Sequence, residues 1–230
     1  MKKSYEAKAT FFDEQVHAKW AAQAYGMKEV TKLKHLFDVT GSLLGLRILE
    51  PGCGTGRLTE VLAAKVGPNG SVVAIDISPA MVVETRRKLS GYENVKILMG
   101  AVEEQEAIIG KFHMIICQQV FPHFENPGDA LGKLSNMLHT DGRIVISHFI
   151  SSEEINDVHR KSHTVVANDK IPPKETLRKW CSRLNLAIEA WQDDDEGYLL
   201  SARLNSRKTH ARTASNHLKK DHRIKTGQVK

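Results

Sequence analysis

Glycines recur at every second position of a short run that could hold a ligand. Gly52, Gly54 and Gly56 follow an apolar segment at 46–49 and precede a helix-like segment at 58–64. A strand that ends in a glycine turn and then opens a helix leaves free amide groups and a helix N-terminus for the polar end of a ligand. The motif predicts a binding turn, and its alternative interpretation is an ordinary tight strand-to-helix connection.

The spacing of these glycines restricts the kind of ligand. A phosphate-binding loop would end in Gly-Lys-Ser or Gly-Lys-Thr, whereas this run ends in Gly56-Arg57-Leu58. In the dinucleotide-binding motif the third glycine follows the second by three residues, and here it comes one residue earlier. The spacing therefore disfavours both a nucleoside triphosphate and a nicotinamide dinucleotide.

An acidic residue ends the next apolar run. Residues 71–76 are typical of a buried strand that finishes at Asp76, and Ser78-Pro79 is typical of a helix start. The ends of neighbouring parallel strands lie side by side, so this carboxylate is placed to accept both hydroxyls of a ribose. The alternative is an aspartate that only stabilises a helix N-terminus.

The glycine turn and Asp76 together resemble the first two motifs of the class I S-adenosylmethionine-dependent methyltransferases. The resemblance implies that S-adenosyl-L-methionine is the cofactor, that Glu50 faces its methionine portion and that Asp76 binds its ribose. Ala101 stands where the family's adenine-binding aspartate usually lies, which leaves Val102 as a packing contact and Glu103 as the only nearby carboxylate. The further cofactor-binding residues that the resemblance implies are Gly52, Cys53, Gly54, Gly56, Ile77 and Gln118.

The segment from Gln118 to Phe124 would form the lip where methyl donor and acceptor meet. Its sequence, Gln-Gln-Val-Phe-Pro-His-Phe, differs from the Asn-Pro-Pro-Tyr motif of enzymes that methylate exocyclic base amines and resembles the lip of small-molecule methyltransferases. An alcohol, a phenol or a carbon acid needs a base to remove its proton. His123 in this lip and His148 at the end of the fifth predicted strand are the candidate catalytic residues.

Further histidines raise the question of a metal. Residues 151–154 resemble a capping box that opens a helix containing His159 and His163, which four-residue spacing would place on one face. With His148 these imidazoles could hold zinc or another divalent ion, or they could lie on a solvated face. We assign no metal, because a lone His-x-x-x-His pair is common by chance.

Strand and helix patterns alternate through the middle of the chain and predict the fold class. With the resemblance, they imply an α/β protein with a Rossmann-like, doubly wound, mainly parallel seven-stranded sheet and an antiparallel C-terminal strand. A turn is expected at Asp141-Gly142. Alternating runs at 186–191 and 197–204, joined by an acidic turn at 193–196, would form the pair that closes the sheet.

Residues 1–205 are expected to form one methyltransferase domain in which residues 1–45 are an N-terminal helical cap. Phe11-Phe12-Asp13 with Trp20 resembles the opening of the ubiquinone and menaquinone C-methyltransferases, where this segment folds over the cofactor. The same aromatic residues would also be explained by a helical stripe that packs on the core.

Composition fits one globular α/β domain. A chain of 230 residues with 41% hydrophobic residues can bury one core. No apolar run is long enough for a membrane helix, and the first residues lack the apolar segment of a signal peptide, so a cytoplasmic location is expected. The three cysteines lie far apart, which disfavours disulfides and a typical zinc site.

The basic charge is concentrated at the C-terminus. From Arg207 onward the chain has eight basic residues and one acidic residue, Asp221. The net charge of this segment therefore exceeds the net charge of +6 for the whole chain. Residues 206–230 are therefore expected to be a basic, flexible tail. The expected partner is a small-molecule methyl acceptor. The alternatives are an RNA-modifying enzyme that uses the tail and a non-catalytic cofactor-binding module. The tail contains no aromatic residue that could stack on a base, which disfavours nucleic acid.

Overall fold

Seven strands and eight α-helices make up the part of the chain that the structure, a computed structural model, describes: residues 3–105 and 110–205. The strands are β1 (Arg47–Pro51), β2 (Ser71–Asp76), β3 (Val95–Met99), β4 (Phe112–Gln118), β5 (Leu138–His148), β6 (Leu186–Asp194) and β7 (Gly197–Leu204). The helices are α1 (Lys3–Glu14), α2 (Lys19–Ala22), α3 (Met27–Thr40), α4 (Arg57–Val66), α5 (Pro79–Lys88), α6 (Pro127–Asn136), α7 (Ser152–Ser162) and α8 (Lys174–Arg183). Short 3-10 turns lie at Val102–Glu104 and Phe121–His123.

The strands form one sheet in the order β3-β2-β1-β4-β5-β7-β6. β1 pairs in parallel with β2 and β4, β5 continues the parallel set, and β7 lies antiparallel between β5 and β6. The predicted mainly parallel α/β sheet with an antiparallel C-terminal strand is confirmed. The strand order reverses between β1 and β4, and ligands of such sheets bind at the carboxyl ends of the strands beside this point.

Alternation along the strands divides the core between the two faces of the sheet. Ile48 of β1 belongs to the apolar cluster that holds residues of α3 and α4, whereas the next residue, Leu49, belongs to the cluster with α6 and α8. Both side chains are fully buried. Successive side chains of a strand point to opposite faces, so a strand covered on both faces is apolar at every position.

The predicted element boundaries hold except in three places. The turn expected at Asp141-Gly142 lies inside β5, where the pairing with β4 shifts register and Asp141 has a left-handed backbone. β6 extends into the predicted acidic turn as far as Asp194, so the turn itself is confined to Asp195 and Glu196. The helix expected to contain both His159 and His163 ends at Ser162, so that pair does not share a helix face. The predictions for residues 206–230 lie outside the described residues.

Membrane insertion through a helix finds no support in the described chain. None of the helices in residues 3–105 and 110–205 is long and apolar enough to span a bilayer.

Gly56 is the residue at which the turn after β1 becomes helix α4. Its φ of 78° lies in the left-handed region, and a Cβ there would come 2.9 Å from the Cγ2 atom of Thr85. We predict that Gly56→Ala lowers the free energy of unfolding by about 1–2 kcal/mol, because the left-handed conformation is unfavourable for a side chain. Chemical denaturation of the variant and the unchanged protein measures the difference.

Gly132, inside α6, is the matched control. A Cβ there would meet only Leu184 Cδ2 at an ordinary 3.7 Å. Gly132→Ala should stabilise the protein by up to about 1 kcal/mol, since alanine favours helix over glycine. Equal effects of the two substitutions would contradict the role of backbone conformation at Gly56.

Candidate functional site

The glycine turn after β1 is anchored to the end of β2. The amides of Gly52 and Cys53 donate to the Ile75 carbonyl at 2.7 and 3.1 Å, and the Gly54 amide donates to Asp76 Oδ2 at 2.8 Å. A Cβ on Gly52 would come 2.3 Å from Val120 Cγ2, so a side chain has no room there. The turn therefore presents bare backbone at the carboxyl ends of the central strands.

Asp76 is buried at the end of β2 and connects two parts of the site. Its Oδ2 atom accepts from Gly54, and its Oδ1 atom accepts from the Ser78 amide at 2.9 Å, at the start of α5. Burial raises the pKa of this carboxyl, and the backbone hydrogen bonds oppose that rise. Each carboxylate oxygen has a further lone pair, so Asp76 retains acceptor capacity for a ligand.

Two neighbouring cavities lie along these strand ends. The first contains Asp76, Ile77, Val102 and Glu103. The second, about 450 Å³ in volume, extends from the glycine turn toward β5. The cavities share six residues of the turn, the lip and the N-terminal segment: Phe12, Trp20, Gly52, Gly54, Gln119 and His123. They form one continuous cleft across the sheet edge, which we call the strand-end cleft.

The second cavity has an unsatisfied acceptor and an unsatisfied donor close to the glycine turn. Glu50 Oε2 and Gln118 Nε2 are buried and have no hydrogen-bond partner among the described residues. Burial raises the pKa of the Glu50 carboxyl to about 8, and the charge of Asp76 adds to the rise. Buried polar atoms are normally paired, so these two atoms fit a ligand that carries both an ammonium and a carboxylate group.

The first cavity has a similar unsatisfied acceptor. Glu103 accepts a hydrogen bond from the Tyr5 hydroxyl through Oε1, whereas its Oε2 atom is buried without a partner in the described residues. Val102 and Ile77 supply the adjoining apolar wall. This arrangement fits a flat heterocycle with an exocyclic amine.

Helix α1 joins the walls of the cleft. Asp13 Oδ1 accepts from the Ala80 amide at 2.9 Å, and Tyr5 contacts Glu103. Phe12 and Trp20 face both cavities. The aromatic residues of the N-terminus therefore line the cleft, which favours a cofactor cap over a simple core stripe.

Three imidazoles line the second cavity: those of His123, His148 and His159. His148 is buried, its Nε2 atom has no partner among the described residues, and burial lowers its pKa to about 3. His123 donates through Nδ1 to Asp169 Oδ2 at 2.8 Å, and burial lowers its pKa. His123 and His148 are therefore neutral at neutral pH.

The alternative of a metal held by His148, His159 and His163 finds no geometric support. His163 follows α7 as an exposed residue with a left-handed backbone. Within residues 3–105 and 110–205, no three histidine, cysteine or carboxylate side chains are arranged to hold a metal ion.

The structure brings most of the predicted site residues to the strand-end cleft. Those that line it are Glu50, Gly52, Cys53, Gly54, Asp76, Ile77, Val102, Glu103, Gln118, His123 and His148. Gly56 is not among the residues that line it, and a Cβ there would meet Thr85. Sequence reasoning did not identify Tyr5, Lys8 or Asp169, because no local motif marks residues that meet only in the folded chain.

The fold and cleft are those of a class I methyltransferase, and a family comparison agrees. A family model described as a methyltransferase domain matches residues 44–213. The chain therefore belongs to this methyltransferase family. S-adenosyl-L-methionine is its predicted cofactor, and the family match confirms that prediction.

Two curated relatives are also methyltransferases. The chain is 35% identical over 159 residues to a malonyl-[acyl-carrier protein] O-methyltransferase of Acetivibrio thermocellus, a match that covers 65% of this chain and 55% of the relative. It is 30% identical to a ubiquinone biosynthesis O-methyltransferase of Glaesserella parasuis, covering 66% and 70% of the two chains. The chain thus spans about half the length of the first relative.

Solved structures confirm the fold. Magnesium protoporphyrin IX methyltransferase from Synechocystis, crystallised with bound S-adenosylhomocysteine, superposes with a TM-score of 0.64 at 19% identity and covers 87% of this chain and 99% of its own. At that identity the likeness defines the fold and leaves the acceptor open.

Glu50 gives a testable pH dependence. Its pKa of about 8 in the folded protein exceeds the ordinary value of 4.5, so the folded state binds the proton more tightly than the unfolded state. The contribution of protonated Glu50 to the free energy of unfolding is therefore complete below about pH 4.5 and is lost as the pH rises toward 8. We predict that Glu50→Gln removes this loss and weakens S-adenosylmethionine binding, as measured by denaturation and calorimetry.

Glu60→Gln, at an exposed position of α4, is the control for this pH series. Its denaturation profile from about pH 5 to pH 8 should parallel that of the unchanged protein. A parallel profile for Glu50→Gln as well would show that Glu50 carries no burial penalty.

Proposed function

We propose that the protein transfers the methyl group of S-adenosyl-L-methionine to a small-molecule acceptor in the second cavity of the strand-end cleft. The observation that carries the proposal is the unsatisfied pair Glu50 Oε2 and Gln118 Nε2, which lies in the same cavity as His123 and His148. If the methionine portion of the cofactor binds to Glu50 and Gln118, the sulfonium is directed toward the imidazoles. The O-methyltransferase relatives support a small acceptor over a nucleic acid.

Each part of the cleft has a distinct task in this proposal. Asp76 would bind the ribose, Glu103 would accept from the adenine amine, and Glu50 would pair with the ammonium group. The cofactor supplies a methyl group already activated by the positive sulfur. The protein then has to hold the acceptor atom in line at roughly 3–3.5 Å and exclude water.

The two predicted catalytic histidines are suited to different tasks. The low pKa of His148, about 3, makes it a poor base and a good neutral hydrogen-bond partner for an acceptor. His123 faces both cavities and therefore lies between the cofactor and acceptor regions. We assign orientation of the acceptor to His148 and proton removal, where the acceptor needs it, to His123.

The proposed activity is tested with methyl-labelled cofactor and a fractionated metabolite extract. We expect label in a small molecule that gains the mass of one methylene, and none with Asp76→Ala. Asp76→Ala removes the two hydrogen bonds that the ribose hydroxyls would donate to this carboxylate, which should weaken cofactor binding by at least about 30-fold. Asp38→Ala, at an exposed aspartate of α3, should behave like the unchanged protein.

Two outcomes would contradict the proposal. Cofactor binding by calorimetry without transfer to any fraction would identify a non-catalytic binding module. Label in RNA that disappears when residues 206–230 are deleted would identify an RNA-modifying enzyme. The cytoplasmic location stays a prediction from the sequence.

We also predict that His148→Ala lowers kcat by about tenfold or more while changing the cofactor Kd less, since a lost orienting hydrogen bond affects the acceptor side only. His139→Ala is the control, because His139 lies in the same strand at the opposite, exposed end and contacts His113. Steady-state kinetics and calorimetry separate the two effects. Unchanged turnover in His148→Ala would remove this residue from the mechanism.

A further inference from the structure

Asp169 orients two of the three imidazoles in the strand-end cleft. Its carboxylate accepts from His123 Nδ1 at 2.8 Å and from Lys8 Nζ at 2.8 Å, one bond to each oxygen. Its backbone carbonyl accepts from His159 Nδ1 at 2.8 Å. The side chains of Lys8 and Asp169 are only 11% and 10% exposed, so these bonds are shielded from solvent.

The position of Asp169 is itself fixed by neighbouring hydrogen bonds. Its amide donates to the Val166 carbonyl at 3.0 Å. Two residues later, the Ile171 amide donates to Asn156 Oδ1 at 2.8 Å, and Asn156 Nδ2 donates back to the Ile171 carbonyl at 3.3 Å. Asn156 belongs to α7, so the loop that carries Asp169 is held against that helix.

These bonds determine the tautomer of His123. An ionised carboxylate only accepts, so His123 carries its proton on Nδ1 and leaves a lone pair on Nε2. Nε2 has no hydrogen-bond partner among the described residues, and the ring lines both cavities. The free lone pair is therefore available to a proton donor bound where the two cavities join.

The charged and titratable groups around His123 have opposite effects on its pKa. Burial lowers the pKa most, the Asp169 carboxylate raises it, and His159 and Lys8 lower it further. His148, from β5, is electrostatically coupled to the same ring. The balance keeps His123 neutral at neutral pH, and Asp169 would stabilise the imidazolium once a proton arrives.

Arg57 is the one arginine or lysine among the described residues that line the second cavity, and it follows the glycine turn at the start of α4. Its guanidinium pairs with Glu29 at 3.1 Å and covers the Tyr25 ring, and its Nε atom is buried without a partner among the described residues. The acceptor side includes the imidazoles and apolar surface contributed by Phe11, Ile150, Ile155, Val158 and Val166. A neutral hydroxyl on an apolar body fits this surface, at a distance from Arg57 beside the glycine turn.

We propose that Asp169, held by Lys8, is the positioning residue that makes His123 the base for a neutral hydroxyl acceptor. His123 Nε2 takes the hydroxyl proton while the oxygen bonds to the methyl carbon and the carbon–sulfur bond breaks. The positive charge thereby passes from sulfur to the imidazolium opposite Asp169, and His123 later releases the proton to solvent. This inference rests on the proposed methyl transfer for its chemistry and on the geometry of Asp169 for its positioning.

The positioning role is tested without any acceptor by NMR of ¹⁵N-labelled histidines. We expect neutral His123 with its proton on Nδ1. Asp169→Asn should lower the pKa of His123, and Lys8→Met should raise it, because the two charges act in opposite directions. Asp157→Asn, which alters a half-buried α7 carboxylate paired with Arg160 and Lys161, should leave it unchanged. An Nε2 proton, or no opposite shifts in the two variants, would overturn the positioning role.

The base role is tested with a phenol and a thiophenol of the same shape. A thiophenol is ionised without help at mildly alkaline pH, so only the phenol needs His123. Asp169→Asn should lower kcat for the phenol by about 10² at unchanged cofactor Kd, and it should barely affect the thiophenol. Equal losses for both acceptors would overturn the base role.

The same assays separate this inference from the proposed function. Transfer to amines or carboxylates but to no hydroxyl would refute the acceptor class and leave the methyltransferase proposal intact. If the unchanged protein transfers no methyl group at all, the proposed function fails, and the NMR result still decides whether Asp169 positions His123.

Discussion

The parallel register between β1 and β2 is the constraint on which the site depends. It sets Glu50 opposite Ala74 and Pro51 opposite Ile75, so the chain leaves β1 beside the end of β2. The turn can then donate its amides to Ile75 and to the Asp76 carboxylate. A shift of one residue would turn every side chain of the strand to the other face and separate these groups.

The cleft that results is electrostatically asymmetric. In the proposed function, the carboxyl groups of Glu50, Asp76 and Glu103 lie on the cofactor side, and the imidazoles lie on the acceptor side, where those of His123 and His148 are neutral. A ligand with an ammonium group and a positive sulfur would offset the cost of burying these carboxyl groups. In that proposal, the apolar surface and the neutral imidazoles of the acceptor side suit a neutral molecule that becomes reactive only when it loses a proton.

Much of this architecture was predictable because it follows from local patterns. Apolar runs bounded by glycine and acidic residues indicated β1 and β2, since each pattern reports its own strand and turn. The predictions went wrong where a tertiary contact altered a local preference. Asp141-Gly142 favours a turn, yet pairing with β4 and β7 carries the strand through it as a bulge. His163 has a left-handed backbone and caps the end of α7, so it does not belong to the helix face that was predicted for it.

By itself, the sequence determined the alternating strands and helices and the glycine turn, because those depend on spacing within a few residues, and the family resemblance of that turn and Asp76 implied the cofactor. Only the tertiary structure decided which histidines share a cavity and what holds them. Lys8, His123 and Asp169 are far apart along the chain and meet because α1, the lip after β4 and the loop after α7 converge on one edge of the sheet. Hydrogen bonds between such distant residues leave no periodic signal in sequence, since their geometry exists only after the sheet has formed.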